Sequence, residues 1–281
     1  MNWEEDYEQE ELEAHPSPAD DPAVQELEPR LLKLFETEPE KVFFESQLAI
    51  HFENEFFHWV TSRALKELRE SGQLGSELQK LGADTQLRFY FNRRNRYWKR
   101  KAADIRKLVL MYSDPTFTPV LGTQGELLID AGFPRFGFMP VADTVREWQG
   151  IKWDQSGHDL DRIFVRDGVY YGVEIKNRLS YIGHQEFLTK LAMCLVLRLT
   201  PLFIARMMPR TYINDVRKMG GYSMIMKYQF YPVSHRSLAN RVRTELGLPV
   251  DCPRRIQDST LQRFLTWHEK KIQDPTAPGT L

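Results

Sequence analysis

The sequence predicts an α/β chain, α+β overall, with a helix-flanked sheet preceded by a smaller helix-rich domain. Three stretches carry this expectation. Gly157 to Asn177 alternates apolar and polar residues on both sides of Asp167-Gly168, the pattern of two strands joined by a tight turn. A helical segment from about Gly183 to Arg198 then leads into the apolar strand Leu202-Phe-Ile-Ala205. Between Lys41 and about Ser113, three short helical segments precede a basic strand pair.

In chain order, residues 1–40 come first and are strongly acidic, with fourteen acids against two bases. Pro16, Pro18, Pro22 and Pro29 fall in the same stretch, so a largely disordered arm is predicted. It would serve as a solubilising tail or fold over a basic surface as a nucleic-acid mimic. The rest of the chain carries 36 bases and 25 acids, an excess hidden by the overall net charge of −1. A basic body with an acidic arm suits a nucleic-acid binder.

Residues 41–113 form the next predicted domain. Phe44–Phe52 and Asn54–Trp59 are read as short helices, and Thr61–Gly72 as a third. Thr61 or Ser62 is placed as the N-cap of that third helix and Gly72 as its stop. Ala64, Leu65 and Leu68 make its buried stripe and leave Arg63, Lys66, Arg69 and Glu70 outward. Leu87–Arg100 is read as a hairpin with its tip at Asn92–Asn95. Three helices and a basic hairpin resemble the winged helix-turn-helix module. That resemblance implies a third helix entering the major groove and a wing on phosphate or the minor groove. Arg63, Lys66, Arg69, Arg93, Arg94 and Arg96 are the implied DNA contacts, with double-stranded DNA as partner. Tyr90, Tyr97 and Trp98 are assigned to packing rather than base stacking.

Residues 118–250 make the larger predicted domain. Gly122–Gly132 reads as a helix, and a first core strand is expected around Thr144–Trp148. In the hairpin that follows, the two-residue period puts Glu174 and Lys176 on one face, within reach of Asp161 on the preceding strand. Two carboxylates beside an ammonium suit a divalent ion that polarises a phosphodiester and activates water. Asp161, a twelve-residue spacer and Glu174-x-Lys176 resemble the motif of the PD-(D/E)xK nuclease superfamily. The resemblance implies a restriction-endonuclease-like mixed sheet in the order helix, three strands, helix, strand. It also implies metal ligation by Asp161 and Glu174, with Glu126 on the preceding helix in the matching place. Lys176 would assist the attacking water, and Mg²⁺ would be the cofactor, with Mn²⁺ as alternative. Asp159 competes with Asp161 as ligand, and Gln185, His184 and Lys190 are supporting candidates on the next helix.

Residues 251–281 are expected to hold one helix near Leu261–Ile272 and a tail. The longest apolar run, Leu191–Leu197, is too short to span a bilayer, the start is not a basic-then-apolar leader, and two distant cysteines build neither a disulfide framework nor a zinc site. Cytoplasmic location is the expectation, without membrane association. No phosphate-binding GxxxxGK[ST] loop is present, so no nucleotide cofactor is expected. The favoured function is a metal-dependent endodeoxyribonuclease, a homodimer if both strands are cut. The alternatives are a non-catalytic DNA-binding regulator or scaffold, and a nuclease subunit of a larger defence or transposition complex.

Overall fold

A computed structural model describes residues 21–82 and 86–273. The chain is a mixed α/β protein whose first helices and small antiparallel sheet are followed by a five-stranded mixed sheet flanked by helices. It divides into two compact units. The first runs to Asp114 and includes Asn240–Leu248; the second spans Pro115–Ala239 and resumes at Pro249.

The first unit opens with α1 (Pro22–Thr37), whose N-cap Asp21 accepts a hydrogen bond from the Ala23 amide at 2.8 Å. Pro22–Thr37 of the predicted acidic arm is therefore ordered helix. Val24, Leu27, Leu31 and Phe35 recur at three- and four-residue spacing and are all buried, a stripe that the acidic composition conceals. Pro22 sits in the first turn, where its missing N–H has no intrahelical partner to lose. Residues 1–20 lie outside the described residues.

After β1 (Val42–Phe44) come α2 (Glu45–Phe52) and α3 (His58–Glu70). The predicted second helix is absent as a separate element, because Val60 joins Ala64, Leu65 and Leu68 in one buried stripe. β2 (Leu74–Lys80) and β3 (Gln86–Asn92) pair antiparallel from Leu74↔Asn92 to Lys80↔Gln86, and β1 joins β3 on its other side. The hairpin's strands are thus Leu74–Lys80 and Gln86–Asn92, and Asn92–Asn95 is not its tip. Arg93, Arg94 and Arg96 leave its base and lead into α4 (Trp98–Tyr112). α1, α2 and α3 close over the sheet through one core that includes Leu27, Leu31, Phe43, Leu48, Leu65 and Tyr90.

The second unit begins with α5 (Thr118–Gly132), then β4 (Met139–Val145) and the small pair β5 (Glu147–Trp148) and β6 (Ile151–Lys152). The first core strand therefore precedes the predicted Thr144–Trp148. Thr144 and Gln149 both have φ of 48°, which bends the chain and diverts Glu147–Trp148 into the side hairpin. β7 (Leu160–Arg166), β8 (Val169–Lys176), α6 (His184–Val196) and β9 (Thr200–Ala205) follow as expected. Asp167 and Gly168 form the β7–β8 turn with φ of 48° and 76°, the two positive values a type I′ hairpin requires. Then come α7 (Arg210–Lys218), β10 (Tyr222–Ile225), β11 (Gln229–Phe230), α8 (Arg236–Leu246), β12 (Val250–Asp251) and α9 (Asp258–Gln273).

The main sheet has the order β10-β9-β8-β7-β4, antiparallel from β4 to β8 and parallel from β8 to β10. One face packs Phe164, Tyr171, Val173 and Leu202 against α5 and α9. The other buries Ile163 and Phe203 beneath α6 and α7. α9 supplies Leu261, Phe264 and Trp267 to the core, so it belongs to this unit and is no separate tail helix. Likewise, residues 240–248 fall in the first unit rather than in the predicted 118–250 domain. Among the described residues, no helix is long and apolar enough to cross a membrane.

Candidate active site

The site lies where β7 and β8 part. Their pairing ends at Arg162↔Val173, and one residue further on Asp161 Oδ2 takes the Ile175 amide at 2.6 Å in place of a strand carbonyl. β8 continues beside β9, pairing Glu174 with Phe203 and Lys176 with Ala205. Alternation then sends Glu174 and Lys176 toward α6 and Ile175 into the opposite core.

Glu174 is the centre of the charge network and only 1% exposed. Its Oε1 lies 2.6 Å from Lys176 Nζ and its Oε2 lies 2.7 Å from Lys190 Nζ. Lys176 also meets Glu186 at 2.8 Å, and Arg178 holds the other Glu186 oxygen at 3.0 Å. Lys190, 4% exposed, donates to the Asp159 carbonyl as well. Burial, then the neighbouring Asp161, pushes the Glu174 carboxyl up to about 7. Burial also raises Asp161, against the pull of the Ile175 amide and both lysines. Burial would lower Lys176, but Glu174 and Glu186 outweigh it and hold its ammonium above the ordinary lysine range. Two carboxylates thus favour the charged form of Lys176.

The remaining sequence candidates divide. Glu126 stands on α5 across the sheet, where Arg162 binds it at 2.9 Å and Asp130 at 3.1 Å. Glu126 was expected among the metal ligands; strand parity turns Asp161 toward α6, and the next residue, Arg162, which holds Glu126, toward α5. Asp159 precedes β7 and meets Lys190 through its carbonyl, with its carboxylate 3.8 Å away. Gln185 is exposed in the first turn of α6, and His184 engages the Tyr212 hydroxyl at 3.1 Å. In the first unit, Arg63 lies 3.9 Å from Glu67, Arg69 pairs with Glu70 at 2.9 Å, and Lys66 is exposed. Arg93 donates to the Gly72 carbonyl at 2.7 Å, while Arg94 and Arg96 are exposed.

Two contributors escaped the sequence. Glu186 stands four residues before Lys190 on the inner side of α6, a spacing that was readable once that side was known. Asn177 had no signal at all. Its side chain donates to the Leu121 and Phe230 carbonyls and accepts from the Phe230 amide at 2.6 Å, clamping the chain directly after Lys176. A methyl at Gly125 would lie 2.6 Å from Asn177 Cβ, so α5 approaches this clamp only because residue 125 lacks a side chain.

Asp161 and Glu174 are neighbouring carboxylates with hard oxygens, and each Glu174 oxygen carries a lysine ammonium, at 2.6 Å from Lys176 and 2.7 Å from Lys190. Paired carboxylates are the donor type a hard divalent ion takes, and a metal here would have to displace the lysines from Glu174. Among the described residues, no group of three or more His, Cys, Asp or Glu is arranged to hold a metal, so a third protein carboxylate is not supplied. Comparisons with protein-family models, curated proteins and solved structures gave no match.

Proposed function

We propose that the second unit is a metal-dependent endodeoxyribonuclease, with the first unit as its DNA-binding module. One observation carries the reading: Asp161, Glu174 and Lys176 converge on one sheet face at the point where β7 and β8 separate. The succession α5, β4, β7, β8, α6, β9 supports the resemblance to the restriction-endonuclease-like fold. In the first unit, the succession α1, β1, α2, α3, β2, β3 supports the winged helix-turn-helix resemblance, with α1 as its first helix and α3 as the groove-reading one.

In this reading Asp161 and Glu174 hold Mg²⁺, or Mn²⁺ in its place. The ion, when bound, polarises the phosphate and makes water more acidic. Lys176, kept charged by Glu174 and Glu186, faces the charge that develops on the phosphate oxygens. Lys190 and the Asp159 carbonyl hold Glu174 in register with Asp161. One such set serves one strand, so cutting a duplex calls for a homodimer.

A second reading is a DNA-binding regulator or scaffold without cleavage, or a subunit active only within a larger complex. Its support is that two lysines sit on Glu174 while Glu126 is held on the other face of the sheet. Incubation of plasmid with the purified protein in Mg²⁺, Mn²⁺ or EDTA decides between them. Metal-dependent nicking that disappears in Lys176→Ala is expected; intact plasmid in every condition would overturn the nuclease reading.

A further inference from the structure

The loop between β3 and α4 is fixed by its own side chains. Asn92 accepts from the Arg94 amide at 3.0 Å and donates to the Phe35 carbonyl at 3.1 Å. Asn95 repeats the arrangement, accepting from the Tyr97 amide at 3.0 Å and donating to the Glu40 carbonyl at 3.1 Å. Trp98 then stacks on Phe91 at 4.2 Å with 7° between the ring planes. Held between these anchors, Tyr97 points away from the core and is 75% exposed. This corrects its expected packing role; Tyr90 is buried, as that expectation required.

Around Tyr97 stand Arg94, Arg96, Lys99, Arg100 and Lys101, all exposed. Among the described residues no carboxylate pairs with any of the five. Elsewhere surface cations do find acids one turn away, as in Lys41–Glu38, Lys218–Asp215 and Arg241–Glu245. The first turn of α4 contains no acid either, so its lysines and arginine face the positive end of the helix dipole unrelieved. A rigid loop presenting uncompensated cations and one outward aromatic ring matches a nucleic-acid backbone carrying an unstacked base. By contrast, the cations of α3 are partly engaged by Glu67 and Glu70.

We propose that residues 94–101 form a nucleic-acid binding surface that takes DNA with a single-stranded segment, the cations gripping phosphates and Tyr97 stacking on an unpaired base. The inference rests on the DNA-binding part of the reading above and not on cleavage. It predicts that the natural substrate is a tailed, gapped or branched duplex rather than a blunt one.

The test is fluorescence anisotropy of the full chain in EDTA with a blunt duplex, the same duplex bearing a single-stranded tail, and an oligo-dT strand, each over a salt series. The tailed duplex is expected to bind more tightly than the blunt one. Tyr97→Ala should weaken tailed and single-stranded binding by roughly tenfold, the worth of about one base stack, and leave blunt binding unchanged. Tyr97→Phe should retain wild-type affinity. Joint replacement of Arg94, Arg96 and Arg100 by Ala should weaken all three complexes and lower the salt slope by about one for each phosphate no longer neutralised. Equal binding of blunt and tailed DNA, or unaltered affinity in Tyr97→Ala, would overturn the stacking surface. An unaltered slope in the triple variant would reduce the cations to a solvated face. Plasmid cleavage measured in parallel keeps the readings separate: cleavage with Tyr97-independent binding sinks this inference alone, and Tyr97-dependent binding without cleavage sinks only the nuclease.

Discussion

Replacing Lys190 with Met removes one ammonium from a nearly solvent-free carboxylate while keeping the stem's apolar bulk. The attraction across the 2.7 Å separation from Glu174 is of order 6 kcal/mol at an effective dielectric of ~20. Lys176 remains on the other oxygen at 2.6 Å and recovers part of it. A destabilisation of about 3 kcal/mol is therefore expected at about pH 8, the lower end for breaking a buried pair. Glu174 is raised to about 7 in the folded protein, above its unfolded value. Its contribution to stability is thus fully present below the unfolded carboxylate range and is lost as pH rises through about 7. Removing Lys190 raises the folded value further and extends that decline to higher pH. The gap between variant and wild type should widen from about pH 6 to about pH 8, because at the lower pH Glu174 escapes its charge by taking a proton. Urea denaturation at both pH values measures it. A variant as stable as wild type at the higher pH, or equally destabilised at both, would refute the assignment of Lys190 as partner of a buried carboxylate.

Three further outcomes are expected. Leu31→Ala, at a fully buried position of α1, should lower stability by about 2–5 kcal/mol in denaturant unfolding, and a change within experimental error would return this stretch to a disordered arm. Glu174→Gln should abolish metal-dependent cleavage while Glu126→Gln preserves it, since Glu126 serves Arg162 on the other face; equal impairment in both would put Glu126 back among the ligands. Because a metal ligand must be deprotonated, cleavage at Mg²⁺ well below saturation should fall about tenfold per unit as pH drops below about 7, where Glu174 of the metal-free protein takes up its proton, and a flat profile at such Mg²⁺ would contradict this.

Most elements of the sheet were legible because their signals are local. Asp167-Gly168 between two alternating runs named the hairpin, and the apolar run after Gly183 named α6 and β9. What failed depended on distant partners. The stripe of α1 is visible only when the acids between its leucines are ignored, and α9 looked terminal until Phe264 found Phe133, Phe138 and Tyr171. The hairpin of the first unit was misplaced because Asn92–Asn95 makes a turn that links a strand to a helix rather than to another strand. In the site, Asp161, Glu174 and Lys176 followed from spacing within one hairpin. Glu126 did not, since which side of the sheet α5 covers is a tertiary fact. Lys190 was visible only as a polar residue on α6, and its burial beside Glu174 needed the packing of that helix on β8.

The return of Asn240–Leu248 to the first unit bears on how the protein is made. Gln47 donates to the Leu246 carbonyl at 2.7 Å, and Leu246 and Leu248 are buried, so the first unit lacks a closing piece until they exist. On the ribosome, all five strands of the main sheet are synthesised before that piece emerges. The amino-terminal unit thus cannot finish first, and the usual order of domain completion from N to C terminus is interrupted in this chain. A nascent chain stalled before residue 240 would carry an incomplete first unit together with all five strands of the main sheet, still lacking α9.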